Sequence, residues 1–294
     1  MSFSREVKEE LAGHISPARH CQIAELAALM HFCGQYGRDA EGNYTIGFQT
    51  ENVSIVRKGF TLLQKTYNIS NSVAINEEQM KELLSKIGDL EEPVSPLLIK
   101  NSCCQRAFLR GAFLSVGSIS DPRKGYHLEF VCTRPDKAEQ LRSVIQGFGM
   151  EAKIVTRKKY YVVYLKEGSA IVDLLNVCGA PISLMNLENL RILKEMRNSV
   201  NRRVNCETAN ITKTVNAATR QIEDIKYLRD YYGFRNLPEN LRQMAEVRLE
   251  NPDAPLKELG EYLNPPVGKS GVNHRLRKLS ELADNMREKR GGTL

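Results

Sequence analysis

The chain has 294 residues, enough for two cores, and its 41% hydrophobic and 26% charged residues exclude wholesale disorder. Lys plus Arg number 42 against 35 for Asp plus Glu, a net charge of +7 that suits a polyanionic partner without demanding one. The start, Met1-Ser2-Phe3-Ser4-Arg5-Glu6, is unlike a secretory leader, and no stretch of about 18 apolar residues exists to span a bilayer. A soluble cytoplasmic protein with no membrane association is expected.

In chain order, residues 20–36 form the first helix, apolar nearly all round through Leu26, Leu29, Met30 and Phe32 and therefore buried on several sides. A half-exposed strand follows at 44–50, then a helix at 53–67, a short strand at Val73-Ala74-Ile75 and a helix at 77–87. Pro93 and Pro96 break the pattern. The order then repeats: an apolar helix at 103–116, a strand at 127–132, a helix at 135–147, strands at 152–156 and 160–165, and a helix at 168–176. The two apolar helices recur at an offset of 83, and Tyr67, Ile69 and Val73 recur as Phe148, Met150 and Ile154 at an offset of 81. Such duplication predicts one pseudosymmetric α+β domain over 1–180.

Beyond it no strand is expected. A helical linker covers 181–214, where Leu184, Leu187, Leu190, Ile192 and Met196 give way to a basic, polar stretch at 197–213. Asn198, Asn201, Asn205, Asn210, Arg202 and Arg203 within it are expected to cap and pin the joint between domains, or to position phosphates. A new amphipathic helix from Val215 opens an all-α domain over 215–294. There, a short helix at 256–263 is stopped by Asn264-Pro265-Pro266-Val267-Gly268, and a second helix starts at Ser270 with the apolar stripe Val272, Leu276, Leu279 and Ala283. That is the helix-turn-helix pattern.

Opposite the stripe lie Ser270, Asn273, His274, Arg277 and Lys278, with Arg275 on its flank. Asn and Arg make bidentate contacts to adenine and guanine edges in the major groove, and Lys269 and Ser270 at the helix start could hold a backbone phosphate. Double-stranded DNA is the expected partner. A second DNA surface is weighed at Lys153, Arg157, Lys158 and Lys159 on the two strands at 152–165, against a plain solvated hairpin or a protein-docking face.

Neither G-x-x-x-x-G-K-[ST] nor G-x-G-x-x-G occurs. The seven cysteines (21, 33, 103, 104, 132, 178 and 206) contain no C-x-x-C pair, and the adjacency of Cys103 and Cys104 suits neither a disulfide framework nor a zinc ribbon. Reduced thiols, no metal and no cofactor are expected.

The segments Leu26-Ala27-Ala28-Leu29-Met30-His31-Phe32-Cys33-Gly34 and Leu109-Arg110-Gly111-Ala112-Phe113-Leu114-Ser115-Val116-Gly117 resemble the paired helices of LAGLIDADG homing endonucleases. In that family an acid before the closing glycine binds the metal; here those positions hold Cys33 and Val116. Valine offers no ligand atom and thiol sulfur is a poor partner for magnesium, so no catalytic residue and no nuclease chemistry are expected. Asp39 and Asp121 are the carboxylates that could substitute for those acids.

The opening Ser2–Leu11, the segment Asn201-Arg202-Arg203-Val204-Asn205-Cys206-Glu207-Thr208-Ala209-Asn210 and the closing Arg275-Leu276-Arg277-Lys278-Leu279 resemble the WhiA family over the whole chain. The resemblance implies a non-enzymatic, nucleoid-associated regulator of transcription or sporulation, cell division and chromosome segregation. It also implies a helix-turn-helix like region 4 of sigma factors, promoter DNA as target, and contacts with other regulators or division proteins. Alternatives are a scaffold that binds division or segregation proteins through the nuclease-like domain, and an active endonuclease.

Overall fold

The computed structural model describes residues 2–70 and 75–291. The chain divides into two compact units, Met1–Glu195 and Met196–Leu294.

In the first unit, α1 (Phe3–Gly13) precedes the first apolar helix, α2 (Arg19–Cys33). Strands β1 (Gly34–Arg38) and β2 (Tyr44–Phe48) form an antiparallel pair, followed by α3 (Val53–Tyr67) and α4 (Glu77–Ile87). The second copy runs α5 (Ser102–Val116), β3 (Gly117–Ile119), β4 (Leu128–Cys132), α6 (Pro135–Gly147), β5 (Lys153–Arg157), β6 (Tyr160–Leu165) and α7 (Gly168–Cys178). Its sheet is antiparallel in the order β3-β4-β6-β5. In the first copy, among the described residues, Ile75 makes an isolated antiparallel bridge to Tyr44 of β2. Val73 and Ala74, in the short strand expected at 73–75, lie outside the described residues.

Local chemistry explains where several elements start. Asn52 caps α3 by accepting from the Ser54 N–H at 2.9 Å, and Asn76 with Gln79 forms a capping box at the head of α4. Pro135 opens α6. At the foot of α2 and of α5 a glycine in extended conformation turns the chain straight into a strand: Gly34 at φ −77°, ψ 153° and Gly117 at φ −80°, ψ 148°. The two junctions are the same turn made twice.

The α2–α5 pair is the centre of the unit. Close approach depends on Gly111, where a Cβ would stand 2.6 Å from the Glu25 carbonyl oxygen and 2.8 Å from the Ala28 Cβ. Beside it, the buried Glu25 takes Lys58 Nζ at 2.6 Å and Arg110 Nε at 3.0 Å on one carboxylate oxygen. Lys58 also donates to the Leu11 and His14 carbonyls, and Arg110 to that of Cys178, which ties α1, α2, α3, α5 and α7 together. Burial lowers the Lys58 pKa, and the facing carboxylate opposes that shift. His31 is buried with its ring nitrogens 2.8 Å from the Glu92 and Ile87 carbonyls, a core residue rather than a ligand.

A single helix, α8 (Pro181–Tyr231), follows. Glu10 of α1 accepts from the N–H groups of Ile182 and Ser183 at 2.7 and 2.8 Å, an anion at the positive end of the helix. The expected break before Val215 is absent, and side chains at 195–217 are exposed on every side of the helix. Asn198, Asn201, Asn205 and Asn210 therefore cap no helix end: they sit mid-helix and exposed, where Arg203 meets Glu207 at 3.2 Å within the same helix. The apolar periodicity lapses there because nothing described packs on the helix to reward it.

The second unit adds α9 (Glu239–Glu250), α10 (Leu256–Glu261) and α11 (Lys269–Gly291) to the end of α8. Its core joins Ile225, Leu228, Leu241, Met244, Leu259 and Leu263 with Val272, Leu276, Leu279 and Ala283. The C-terminal half of α11 is fastened to α8 by Arg287, which reaches the buried Asp224 at 2.7 Å and Asp284 at 2.9 Å. These bonds raise the Arg287 pKa, the hydrogen bond to Asp224 most of all.

Candidate nucleic-acid interface

The turn between α10 and α11 closes on Gly260, whose carbonyl accepts from the Val267 N–H at 2.9 Å. A Cβ on Gly260 would lie 2.0 Å from the Val267 carbonyl oxygen, so no other residue fits without moving the turn. The seating of Val272, Leu276, Leu279 and Ala283 in the core then fixes the rotation of α11 about its axis. At 100° per residue, the opposite side must face solvent.

All seven residues expected at this face lie along α11, and six of them are exposed: Lys269, Ser270, Asn273, His274, Arg277 and Lys278. Lys269, Ser270, Asn273, His274 and Lys278 make no side-chain hydrogen bond or ion pair with any described residue. Arg277 Nε donates to Glu281 Oε1 at 2.9 Å, an exposed i,i+4 pair of little stabilising value that an incoming phosphate or base could displace. Arg275 is half-buried on the flank, with its guanidinium 3.5 Å from the Asn240 carbonyl. The result is a polar, positively charged ridge on a rigid helix, with the unbonded N–H groups of its first turn beside Lys269 and Ser270.

The basic hairpin differs. Lys158 and Lys159 form its tip, with Lys158 at φ 55°, and both are exposed. Arg157 Nη1 reaches across β6 to Glu129 on β4 at 3.0 Å, and Lys153 meets Glu151 at 3.2 Å. Lys159 and Lys166 lie over the rings of Tyr160 and Tyr164 at 5.5 and 5.1 Å from ring centre to nitrogen. The tyrosines thus serve as supports for cations as well as packing.

At the foot of the central helices stand the two positions of the absent acids. Cys33 is buried and its thiol donates to Ser115 Oγ at 3.3 Å; burial raises its pKa. Val116 packs against the core. Lys8, whose pKa burial lowers, is an electrostatic neighbour of Cys33 and would oppose a cation there. Asp39 accepts from the Glu41 and Asn43 N–H groups at 3.0 and 2.9 Å, and Asp121 from that of Arg123 at 2.9 Å. Both carboxylates shape loops.

One cluster escaped sequence reasoning: His20, Cys21, Cys103 and Cys104 meet at the heads of α2 and α5, their ligand atoms all within 4.8 Å of one another. The offset of 83 between the two helices was its signal, since it carries 20 onto 103 and 21 onto 104.

The architecture is that of a duplicated LAGLIDADG-like α+β domain combined with a helical helix-turn-helix domain. Three family profiles cover most of the chain: the WhiA N-terminal LAGLIDADG-like domain at residues 19–82, the WhiA LAGLIDADG-like domain at 105–197 and the WhiA C-terminal HTH domain at 200–283. The chain is 50% identical, over 98% of its length, to the "Probable cell division protein WhiA" of Lachnoclostridium phytofermentans, matched over 100% of that protein. Identity is 47% to the protein of the same name from Alkaliphilus metalliredigens, over 98% of this chain and 99% of the other. The crystal structure of full-length DUF199/WhiA from Thermatoga maritima matches with a TM-score of 0.59 and 26% identity, over 97% of this chain and 99% of that one. The chain belongs to the WhiA family.

Proposed function

We propose that this protein is a non-catalytic DNA-binding regulator whose helix α11 reads base edges in the major groove. The carrying observation is the face of α11: an exposed row of Lys269, Ser270, Asn273, His274 and Lys278 without partners among the described residues, set above a stripe locked into the core. In this reading Lys269 and Ser270 hold a phosphate, while Asn273, His274 and Arg277 address bases, with Arg275 and Lys278 at the sides. The β5–β6 hairpin, through Lys153, Arg157, Lys158 and Lys159, is a second, weaker DNA surface. The domain boundaries proposed are a nuclease-like domain over 1–180, a helical linker over 181–214 and the reading domain over 215–294.

Membership of the family supports a role in cell division, the process named for its relatives. Transcription control, chromosome segregation and nucleoid association follow in the same proposal, with scaffolding of division proteins by the nuclease-like domain as a compatible second role. Among the described residues no helix is long and apolar enough to cross a membrane.

The test is fluorescence anisotropy of the full chain on genomic DNA fragments across a salt series, repeated with Asn273→Ala and Arg277→Ala. Salt-dependent binding with preference among fragments, and loss of that preference in the variants, is the expected result. Equal affinity for all fragments, unchanged by either substitution, would refute major-groove reading by α11. The absence of catalysis is tested separately: plasmid DNA incubated with the protein and Mg2+ is expected to stay uncut, and nicking that a chelator abolishes would overturn it.

A further inference from the structure

The heads of the two central helices hold a second constellation, unrelated to the DNA face. His20 and Cys21 lie in the first turn of α2, and Cys103 and Cys104 in the first turn of α5. His20 Nδ1 stands 3.2 Å from Cys104 Sγ and 3.4 Å from Cys21 Sγ. Cys21 and Cys104 are buried at 4% and 3% exposure, while His20 and Cys103 are exposed and close the cluster toward solvent. We propose that His20, Cys21, Cys103 and Cys104 form a structural Zn2+ site that staples α2 to α5.

The donor set and its spacing support this. Three thiolates and an imidazole are a common complement for four-coordinate zinc, and soft sulfur selects zinc over magnesium or calcium. A tetrahedron with Zn–S near 2.3 Å and Zn–N near 2.0–2.1 Å has S···N edges of about 3.5 Å and S···S edges of about 3.8 Å. The two S···N distances already match those edges to within a few tenths of an ångström, and the 4.8 Å limit on the whole set leaves only small side-chain rotations to complete the shell. The site is also pseudosymmetric: the duplication that places Gly34 opposite Gly117 at one end of the helix pair places His20-Cys21 opposite Cys103-Cys104 at the other.

The charge balance is met locally. Three thiolates on Zn2+ leave a net negative charge at the N-termini of two helices, where the dipoles favour it. Neither α2 nor α5 has a side-chain cap bond at its start, although on α2 the Cys21 and Gln22 N–H groups already donate to the Ala18 carbonyl, both at 3.1 Å. Four protein ligands leave no open position, which makes the metal structural and not catalytic.

The experiment uses the full chain purified without air, stripped with chelator and titrated with Zn2+ against a chromophoric competitor. One zinc per chain is expected, with thermal unfolding shifted upward by the metal. Replacing it with Co2+ should give the intense visible bands of a tetrahedral site together with thiolate charge transfer in the near ultraviolet. Cys103→Ser and His20→Ala, both at exposed positions, should weaken zinc by at least about tenfold and change the Co2+ spectrum, with the unfolding temperature of the metal-free chain unmoved. Cys206→Ser, at an exposed cysteine outside the cluster, should change none of these. A chain that takes up no zinc, a Co2+ spectrum of six-coordinate type or one untouched by Cys103→Ser, or a Cys21–Cys104 disulfide recovered in place of the metal would each overturn the site.

Discussion

On α11, Lys269, Asn273, His274 and Lys278 project from a helix face with no carboxylate set against them among the described residues; on the hairpin, Arg157 is tied to Glu129 and Lys153 to Glu151. The two regions look alike as strings of basic residues and differ as surfaces. A helix seated in a core by one stripe presents the opposite stripe as a row, held apart from other elements. A strand in a sheet places each outward residue beside its cross-strand neighbours, so Arg157 finds an acid two strands away. Basic composition therefore marks both regions, and the free valences that DNA could use lie mainly on the helix.

The comparison can be broken most severely at Gly260. Gly260→Ala places a Cβ on the Val267 carbonyl, and destabilisation of the C-terminal unit by about 3 kcal/mol is expected, read as a lower unfolding transition with loss of specific DNA binding. Full specific binding by a chain whose C-terminal unit has melted would hand the reading role to the hairpin. Next in size, Arg277→Ala should cost about 1–3 kcal/mol on the preferred fragment and much less on others, measured by anisotropy at fixed salt. The smallest effect is expected from Lys158→Ala combined with Lys159→Ala: about 0.5 kcal/mol or less, nearly uniform across fragments, with a shallower salt dependence. Were the double variant to lose more affinity than Arg277→Ala, the ranking of the two surfaces would be inverted.

The first unit offers a similar lesson between its two copies. The stretch after α6 holds the β5–β6 hairpin, residues 148–167 in all, whereas the equivalent stretch after α3 covers only 68–76. Among the described residues the basic hairpin occurs in the second copy. The helices at 53–67, 77–87 and 135–147 are readable to within a residue or two, because each carries a side-chain cap or a Pro start and one apolar side. Strands β1 and β3 are not, and α2 ends at Cys33 and not at the expected 36, because Gly34 and Gly117 turn helix into strand in an ordinary extended conformation without a proline or turn cluster to signal it. Helix α1 likewise carries too little apolar periodicity to stand out in the sequence, with only Val7 and Leu11 buried.

The sequence by itself determined the duplication, the helix-turn-helix, the side of α11 that faces solvent and the loss of acid at Cys33 and Val116. Each of these rests on periodicity or on residue identity at a marked position, which are local properties of the chain. Only the tertiary structure decided which cations are already paired, that 181–231 is one helix, and that His20, Cys21, Cys103 and Cys104 share a site. Those depend on which side chains meet across 80 or so residues of intervening chain, and a helix with no packed face leaves no pattern to read.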